Sequence, residues 1–504
     1  MKKIVTMFLI FILLSTTFVF ASCERQHTAT FAYADGTPIS KQKILDGDCA
    51  LIPNDPKEGE KEFYGWCIDA ECTQIFDFGS KITSNITLYA DMREPTKASS
   101  FEWALINNIN YTVKKFTGNE TSVIIPSTYK GLQVTAISSS AFCNCLNLRN
   151  ISIPDSIKEI EYWAIDRCTN LVSIDVSVNN PSYKSTDGNL YTKNGEMMIQ
   201  YAIGKNSETF SIPDTVIQFG WYTFLNCKNL KSVVIPNSVK IIGLGVFRGC
   251  TNLTDIAIPN SVTRIDLGAF EDCESLTSII IPASVTKIYE DVFASCSNLS
   301  NITVDENNAN YKSIDGNLYN KDGTTLIQYA IGKKEESFIV PEEVTSINDM
   351  AFYECIYLKS VTISDNVTDI GNYTFFKCKN LISVTIPKNI TEIGRYVFFY
   401  CTNLENIELP ESITSIGDQA FSNCTKLANI ILPRQVTNIG NYAFCSCSEL
   451  TSILILDSVT TIGNFAFSGC ENLTIYCEAM KKQAGWSLSW NHSNCPVVWG
   501  YTGE

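Results

Sequence analysis

A repeat of 23 residues constrains the fold of this chain more than any other feature of its sequence. One copy spans residues 276–298, as LTSIIIPASVTKIYEDVFASCSN, and the pattern returns almost to the C-terminus. One cysteine marks each copy, at intervals of 23 residues that widen twice to 59, which is 23 plus 36. These cysteines are Cys145, Cys168, Cys227, Cys250, Cys273, Cys296, Cys355, Cys378, Cys401, Cys424, Cys447 and Cys470. A fixed period of this length predicts a solenoid, in which each unit packs only on its neighbours.

Each copy has the pattern of a short strand followed by turns. Ile279 and Ile281 alternate with Ile280, which predicts a strand whose inner side chains build the core while Ile280 points outward. Pro282 lacks an N–H group and ends the strand. Phe293 comes three residues before the cysteine, which is the separation of one helical turn. The copy therefore predicts a β-rich solenoid of short strands joined by 3₁₀ or one-turn helices.

The repeat resembles a known family. Its pattern, V-T-x-I-G-x-x-A-F-x-x-C-x-x-L-x-x-I-x-I-P, is similar to the BspA-type leucine-rich repeat and is carried clearly by residues 421–433 and 380–387. The resemblance covers residues 134–473 and implies a leucine-rich-repeat solenoid on a bacterial surface protein. It also implies adhesion to host proteins, matrix or neighbouring cells. Residues 474–504 resemble the capping strands that follow such repeats.

Two insertions of 36 residues account for the longer intervals, near residues 178–212 and 306–340. They share the turn sequence Asp-Gly-Asn, at Asp187–Asn189 and Asp315–Asn317, and both end in I-Q-Y-A-I-G-K. An Asp-Gly pair between apolar segments predicts a β-hairpin.

The segment before the repeats differs from them. Within residues 24–95, short alternating apolar stretches lie between Gly, Asp and Pro, which predicts a small β module. Residues 63–66 (FYGW), 76–78 (FDF) and 82–90 (ITSNITLYA) are similar to the internalin B-repeat family, whose modules are β-grasp-like. Residues 96–133 then predict strands that cap the open end of the solenoid.

The first 22 residues have the layout of an export signal, with Lys2 and Lys3 before an apolar stretch. Two cleavage sites compete. Ordinary signal peptidase would cut after Ala21, whereas Phe20-Ala21-Ser22-Cys23 resembles a relaxed bacterial lipobox with Cys23 as the lipidated residue. The sequence thus predicts an exported protein, either an outer-membrane or cell-surface lipoprotein or a secreted one.

Composition and motifs exclude several function classes. Lys and Arg total 38 against 53 Asp and Glu, and this acidic balance disfavours nucleic acid and bare anionic lipid as partners. We therefore expect membrane contact only through a lipid anchor. Only two histidines occur, and no phosphate-binding loop or nucleophile elbow is present. The sequence predicts no enzyme, no catalytic residues, no metal site and no cofactor.

The sequence also bears on whether the cysteines are free thiols or form disulfides. Of 20 cysteines, most form the repeat column, and we interpret these as buried thiols that fill the turn, with bridging between rungs as the alternative. Two local disulfides are plausible in an exported protein, Cys67–Cys72 in the first module and Cys477–Cys495 in the C-terminal cap.

Outward strand positions supply the candidate ligand contacts. Val234, Ala257 and Ile280 fall on successive copies and predict one apolar patch, and Ile431 with Leu454 predict a second. Exposed apolar patches indicate protein contact. We therefore predict binding to a protein ligand, either host matrix, a host cell or a bacterial surface protein. The alternative is a structural spacer with no ligand site on the solenoid.

Overall fold

The computed structural model describes residues 25–503, which form two compact units divided between Glu94 and Pro95. The predicted export signal and Cys23 lie outside the described residues. Among the described residues, no helix is long and apolar enough to span a bilayer. A 3₁₀ helix at Ala98–Ser100 is the one helix in this part of the chain.

The first unit is a four-stranded sheet in the order β2-β1-β4-β3. Its strands are β1 Gln26–Ala32, β2 Pro38–Leu45, β3 Glu62–Cys67 and β4 Ile86–Arg93. β1 pairs antiparallel with β2 and parallel with β4. Aromatic side chains close its core: Trp66 is 2% exposed, and its ring centroid lies 4.9 Å from that of Phe31.

The second unit is the solenoid with its caps. The first strands are β5 Phe101–Ile106, β6 Asn110–Phe116, β7 Ser122–Ile124, β8 Thr128–Tyr129 and β9 Leu132–Ile137. The strands up to the end of the second insertion are β10 Asn150–Ile153, β11 Glu159–Ile160, β12 Ser173–Val176, β13 Tyr183–Thr186, β14 Asn189–Thr192, β15 Met197–Gln200, β16 Thr209–Ser211, β17 Gln218–Phe219, β18 Ser232–Val234, β19 Ile241–Ile242, β20 Asp255–Ala257, β21 Arg264–Ile265, β22 Ser278–Ile281, β23 Lys287–Ile288, β24 Asn301–Val304, β25 Tyr311–Ile314, β26 Asn317–Asn320, β27 Thr325–Gln328 and β28 Ser337–Ile339. The last strands are β29 Ser346–Ile347, β30 Ser360–Thr362, β31 Asp369–Ile370, β32 Ser383–Thr385, β33 Glu392–Ile393, β34 Ser415–Ile416, β35 Asn438–Ile439, β36 Ser452–Ile455, β37 Thr461–Ile462, β38 Thr474–Cys477 and β39 Val497–Trp499.

The solenoid strands form two parallel rows. One row, here called the face strands, includes β10 with β12, β18 with β20, β22 with β24, β30 with β32 and β36 with β38. The other row, the return strands, consists of two-residue strands such as β19, β21 and β23. Parallel rungs place equivalent residues of successive repeats side by side. The predicted leucine-rich-repeat solenoid, preceded by a small β module, is thereby confirmed.

The core of each rung comes from the apolar columns of the repeat. In the rung of Leu276, the side chains of Ile279 and Ile281 are 2% and 0% exposed, and those of Val285 and Phe293 are 0% and 1% exposed. The phenylalanines stack from rung to rung with nearly parallel rings, for example Phe398 on Phe421 at 5.4 Å and 11°. Offset-stacked aromatic pairs add stabilisation beyond the area they bury.

The turns after the return strands differ from the predicted 3₁₀ or one-turn helices. Two residues in each turn have positive φ. In one rung these are Tyr396 (58°) and Tyr400 (61°), which lie on either side of Phe398. The N–H groups of these three residues donate to the carbonyls of Asp418, Ala420 and Ser422 in the next rung, at 2.9–3.0 Å. Because alternate N–H groups serve the next rung, they are not free for a helix, and the turn continues the ladder instead.

Polar columns also bond between rungs. The Ser284 hydroxyl donates to the Val262 carbonyl at 2.6 Å, and the Asn298 side chain donates to the Glu274 carbonyl at 2.8 Å. Ser238, Ser261 and Ser412 make the same bond in other rungs, which satisfies carbonyls that the turns leave open. These columns therefore belong to the frame of the solenoid.

The two insertions have the same structure. In the first, β13 and β14 form an antiparallel hairpin around Asp187 and Gly188, and β15 rejoins the return row by pairing with β17. A fully buried asparagine anchors each hairpin: the Asn180 amide donates to the Pro154 and Ile157 carbonyls at 2.7 and 2.9 Å. Asn308 makes the equivalent bonds in the second insertion.

Candidate binding surfaces

The face strands present the first predicted patch to solvent. Val234 is 58% exposed and Ile280 is 63% exposed, and Ala257 lies directly opposite Val234 in the parallel pair of β18 and β20. Ile280 pairs with Thr303, so the apolar row ends at a polar residue on that side. The structure places these three candidate residues on the same side of neighbouring rungs.

The second predicted patch is longer than the sequence indicated. Ile431 is 84% exposed. Asn429 and Ser452 form an isolated parallel β-bridge, and Ile431 and Leu454 each lie two residues after it. Leu454 is half-buried, and the register continues from it to Tyr476 on β38 and Val498 on β39. The repeat pattern missed these last two residues because they follow at intervals of 22 residues, in the cap. Ile431, Leu454, Tyr476 and Val498 form what we call the C-terminal row.

The cysteine column forms a ladder of buried thiols. The Cys401 thiol donates to the carbonyl of Phe375 at 3.0 Å, and the side chain of Cys401 is fully buried. The equivalent bond, at 3.0–3.2 Å, is made by Cys168, Cys250, Cys273, Cys296, Cys378, Cys424, Cys447 and Cys470. Burial raises the pKa of the Cys401 thiol well above its usual range, so the reactive thiolate is disfavoured.

The two suggested disulfides have different geometry. Cys67 and Cys72 lie close enough for their thiols to interact, and burial raises the pKa of both thiols. Both are free cysteines in the structure, and the bridge between them stays a prediction. In the cap, the register places Cys477 opposite Trp499, four residues beyond Cys495. The Cys495 thiol donates instead to the Cys470 carbonyl at 3.3 Å. Because a bridge needs Cα atoms within about 7 Å, this register does not favour Cys477–Cys495.

A cluster of charged groups lies on the turn side at Glu271. Its carboxylate is 2.8 Å from the Arg248 guanidinium. Burial raises the pKa of Glu271 to about 7, and nearby Asp272 and Asp291 add to the rise while Arg248 opposes it. Among residues 25–503, no three His, Cys, Asp or Glu side chains are grouped so that they could hold a metal ion.

Comparisons with known proteins match this architecture. The family model for the BspA type leucine rich repeat region matches residues 107–195, 201–322, 331–450 and 391–477. The model for the Listeria-Bacteroides repeat domain matches residues 27–91. The search of curated proteins found no match.

Several solved structures are similar. A leucine-rich cell surface protein from Faecalibacterium prausnitzii is 30% identical, with a TM-score of 0.50, over 82% of this chain and 100% of that one. A leucine-rich repeat protein from Bacteroides ovatus is 22% identical (TM-score 0.37; 80% of this chain, 99% of that one). The pneumococcal vaccine antigen PcpA is 18% identical (TM-score 0.47; 79% and 96%). The chain belongs to the BspA-type leucine-rich repeat proteins and carries a Listeria-Bacteroides repeat domain before its repeats.

Proposed function

We propose that this protein is an exported, surface-displayed adhesin that uses its face strands to bind a protein of a host or neighbouring cell. One observation carries the proposal: apolar side chains stand exposed and side by side on the face strands, at Val234, Ala257 and Ile280. Exposed apolar rows with polar neighbours are typical of protein-binding surfaces. Membership of a leucine-rich repeat surface-protein family is consistent with a role in protein interaction.

The C-terminal row supports the same proposal independently. Ile431 has the most exposed side chain of the row, at 84%, and Val498 is 41% exposed. Tyr476 lies between Leu454 and Val498 in register, and its ring is 4.7 Å from that of Tyr501. Aromatic residues at the centre of an apolar patch are enriched at the strongest contacts of protein interfaces.

The test is binding of the purified mature protein to a panel of extracellular-matrix proteins and to whole cells, measured by biolayer interferometry and adhesion assays. We expect Val234→Glu with Ile280→Glu to weaken binding by at least about tenfold, because a charge in a desolvated contact costs more than about 1.4 kcal/mol. Thr362→Glu with Thr385→Glu is the matched control, since these exposed residues pair in register elsewhere on the same face.

Two results would count against the proposal. If both double variants bind like the wild type, the Val234–Ile280 patch is not a ligand site, and a Leu454→Glu variant then tests the C-terminal row. If that variant also binds normally, the solenoid is a structural spacer and ligand binding belongs elsewhere in the chain.

The proposed anchor is a lipid on Cys23. Radiolabelled palmitate should label the wild type in cells and should not label Cys23→Ala, whereas a Cys49→Ala control, which removes an exposed thiol of the first unit, should label normally. Equal labelling of all three proteins would leave simple secretion as the mode of export.

A further inference from the structure

The first insertion shortens one turn of the stack. Met198 takes the place of the return-strand isoleucine, and only two residues separate it from Tyr201, whereas four separate Phe219 from Phe224 in the next rung. Tyr201 occupies the phenylalanine column: its N–H donates to the Thr223 carbonyl at 3.0 Å, and its ring lies 5.3 Å from that of Phe224. The outer part of the turn is therefore missing at this level.

The missing layer leaves a notch between two complete turns. The cavity has a volume of about 490 Å³, within the range of small-ligand sites, and its lining includes Glu161, Tyr162, Tyr183, Gln200 and Trp221. We call this cavity the aromatic notch.

Two aromatic pairs reach across the aromatic notch. Tyr162 and Trp221 stack with ring centroids 4.4 Å apart at 16°, and Trp163 faces Tyr222 at 6.2 Å. Tyr162 is 59% exposed, and the two tryptophans are 47% and 48% exposed. Trp163 and Tyr222 occupy the positive-φ position of the turn, where other rungs have Gly245 but also Tyr373, so a ring at this position is common along the solenoid. Tyr162 and Trp221 lie one position earlier in the turn, where other rungs have residues such as Leu244 or Asn441, so the repeat does not account for this stacked pair.

The second insertion is an internal comparison for this site. It has the same shortened turn, with Tyr329 donating to the Ala351 carbonyl at 2.9 Å and packing 5.3 Å from Phe352. The four equivalent rim residues, 128 positions later, are Glu290, Asp291, Asp349 and Met350. The architecture of the insertion therefore does not require aromatic rings at the rim, and the first insertion has them for another reason.

The chemistry of the aromatic notch selects the class of ligand. Flat exposed rings pair with the apolar C–H face of a pyranose, and the carboxylates of Glu159 and Glu161 and the amide of Gln200 can bond sugar hydroxyls. The carboxylates and the acidic chain disfavour an anionic ligand. We propose that the aromatic notch binds a neutral oligosaccharide.

The backbone of the aromatic notch is unsuited to an extended peptide. The Ile160 N–H donates to the Tyr183 hydroxyl at 2.9 Å, the Ser139 N–H to Glu161 Oε2 at 2.8 Å and the Gly220 N–H to the Met198 carbonyl at 2.8 Å. Strand-like peptide binding relies on open main-chain groups, and these donors are already used.

The experiment is calorimetric titration and tryptophan-fluorescence titration of the purified mature protein. The probes are maltohexaose, cellohexaose, chitohexaose, mannohexaose and xylohexaose, with sialyllactose and a proline-rich decapeptide as other ligand classes. We expect saturable binding of at least one neutral hexasaccharide. Trp221→Ala and Tyr162→Ala should each weaken it at least about tenfold, while melting temperature shows that the variants remain folded.

Matched controls make the result specific. Asp349→Ala and Glu290→Ala alter the equivalent positions of the second insertion and should leave the affinity unchanged. The proposal is overturned if no neutral hexasaccharide binds, if binding survives both aromatic substitutions, or if only the peptide or sialyllactose binds. Because the face strands are separate from the aromatic notch, Trp221→Ala should not alter protein binding by the Val234–Ile280 patch.

Discussion

At the scale of single residues, a glycine follows many of the return strands, and the space around it differs from rung to rung. A Cβ atom on Gly440 would lie 2.5 Å from the Asp418 nitrogen and 2.6 Å from the Gly417 carbonyl carbon. At Gly243 the nearest atom would be Val246 Cγ2, at an ordinary 3.7 Å. The same column position therefore differs in its need for glycine from rung to rung.

These distances predict different costs for the same substitution. We expect Gly440→Ala to lower the free energy of unfolding by about 1–3 kcal/mol, because the added methyl group forces the backbones of two rungs apart. Gly243→Ala is the control and should change it by no more than about 1 kcal/mol. Chemical denaturation followed by circular dichroism measures both, and equal costs would show that rung spacing adapts freely.

The half-buried carboxylate of Glu271 predicts a pH dependence of stability. Its pKa is about 7 in the folded protein, chiefly because of burial, against an ordinary value of 4.5. Because the folded state holds the proton more tightly, the contribution of Glu271 to stability is full below about pH 4.5 and is lost as the pH rises towards 7. We therefore expect Glu271→Gln to reduce the fall in melting temperature between pH 5 and pH 8.

The control for this prediction is Glu392→Gln, which alters an exposed carboxylate on a return strand. It should leave the pH profile of the wild type unchanged. A Glu271→Gln profile that is parallel to the wild type would contradict the assignment of the effect to this residue.

At the scale of elements, each hairpin insertion depends on one buried asparagine. Asn180 Oδ1 also accepts from the N–H groups of Ser182 and Tyr183, at 2.9 and 2.8 Å. We expect Asn180→Ala to destabilise the first insertion by about 2–4 kcal/mol, because several buried backbone groups lose their partner. Hydrogen exchange should then rise in residues 183–200. The second insertion, held by Asn308, is the internal control and should be unaffected; a rise in both insertions would indicate general unfolding.

The sequence predicted the strands well and the turns less well. Ile279, Ile281 and Pro282 define a face strand by local alternation and a stop, so their pattern is sufficient. The positive φ of Tyr222 accompanies a hydrogen bond from its N–H to the Leu244 carbonyl of the neighbouring rung, at 3.0 Å, which residue type does not reveal. The shortened turn before Tyr201 is visible only once pairing assigns Met198 to the return-strand column.

At the scale of the whole molecule, a strict period made the solenoid predictable, because equivalent residues must occupy equivalent places in every rung. The candidate sites were less predictable because they are departures from that period. Val234 and Ile280 are outward positions that the alternation identifies, whereas Tyr476 and Val498 join the C-terminal row only through the register of the cap. The aromatic notch requires contact between Tyr162 and Trp221, which are 59 residues apart.

Hydroxyl-radical footprinting of the mature protein, with and without its partner, tests most directly whether the face strands bind a protein ligand. Oxidation of exposed side chains reports directly on which face is covered. We expect oxidation of Ile280, Ile431 or Tyr476 to fall on binding, while oxidation of Tyr373 and Tyr400 in the turns stays unchanged. Protection confined to the turn residues, with the face strands oxidised as in the free protein, would contradict this expectation.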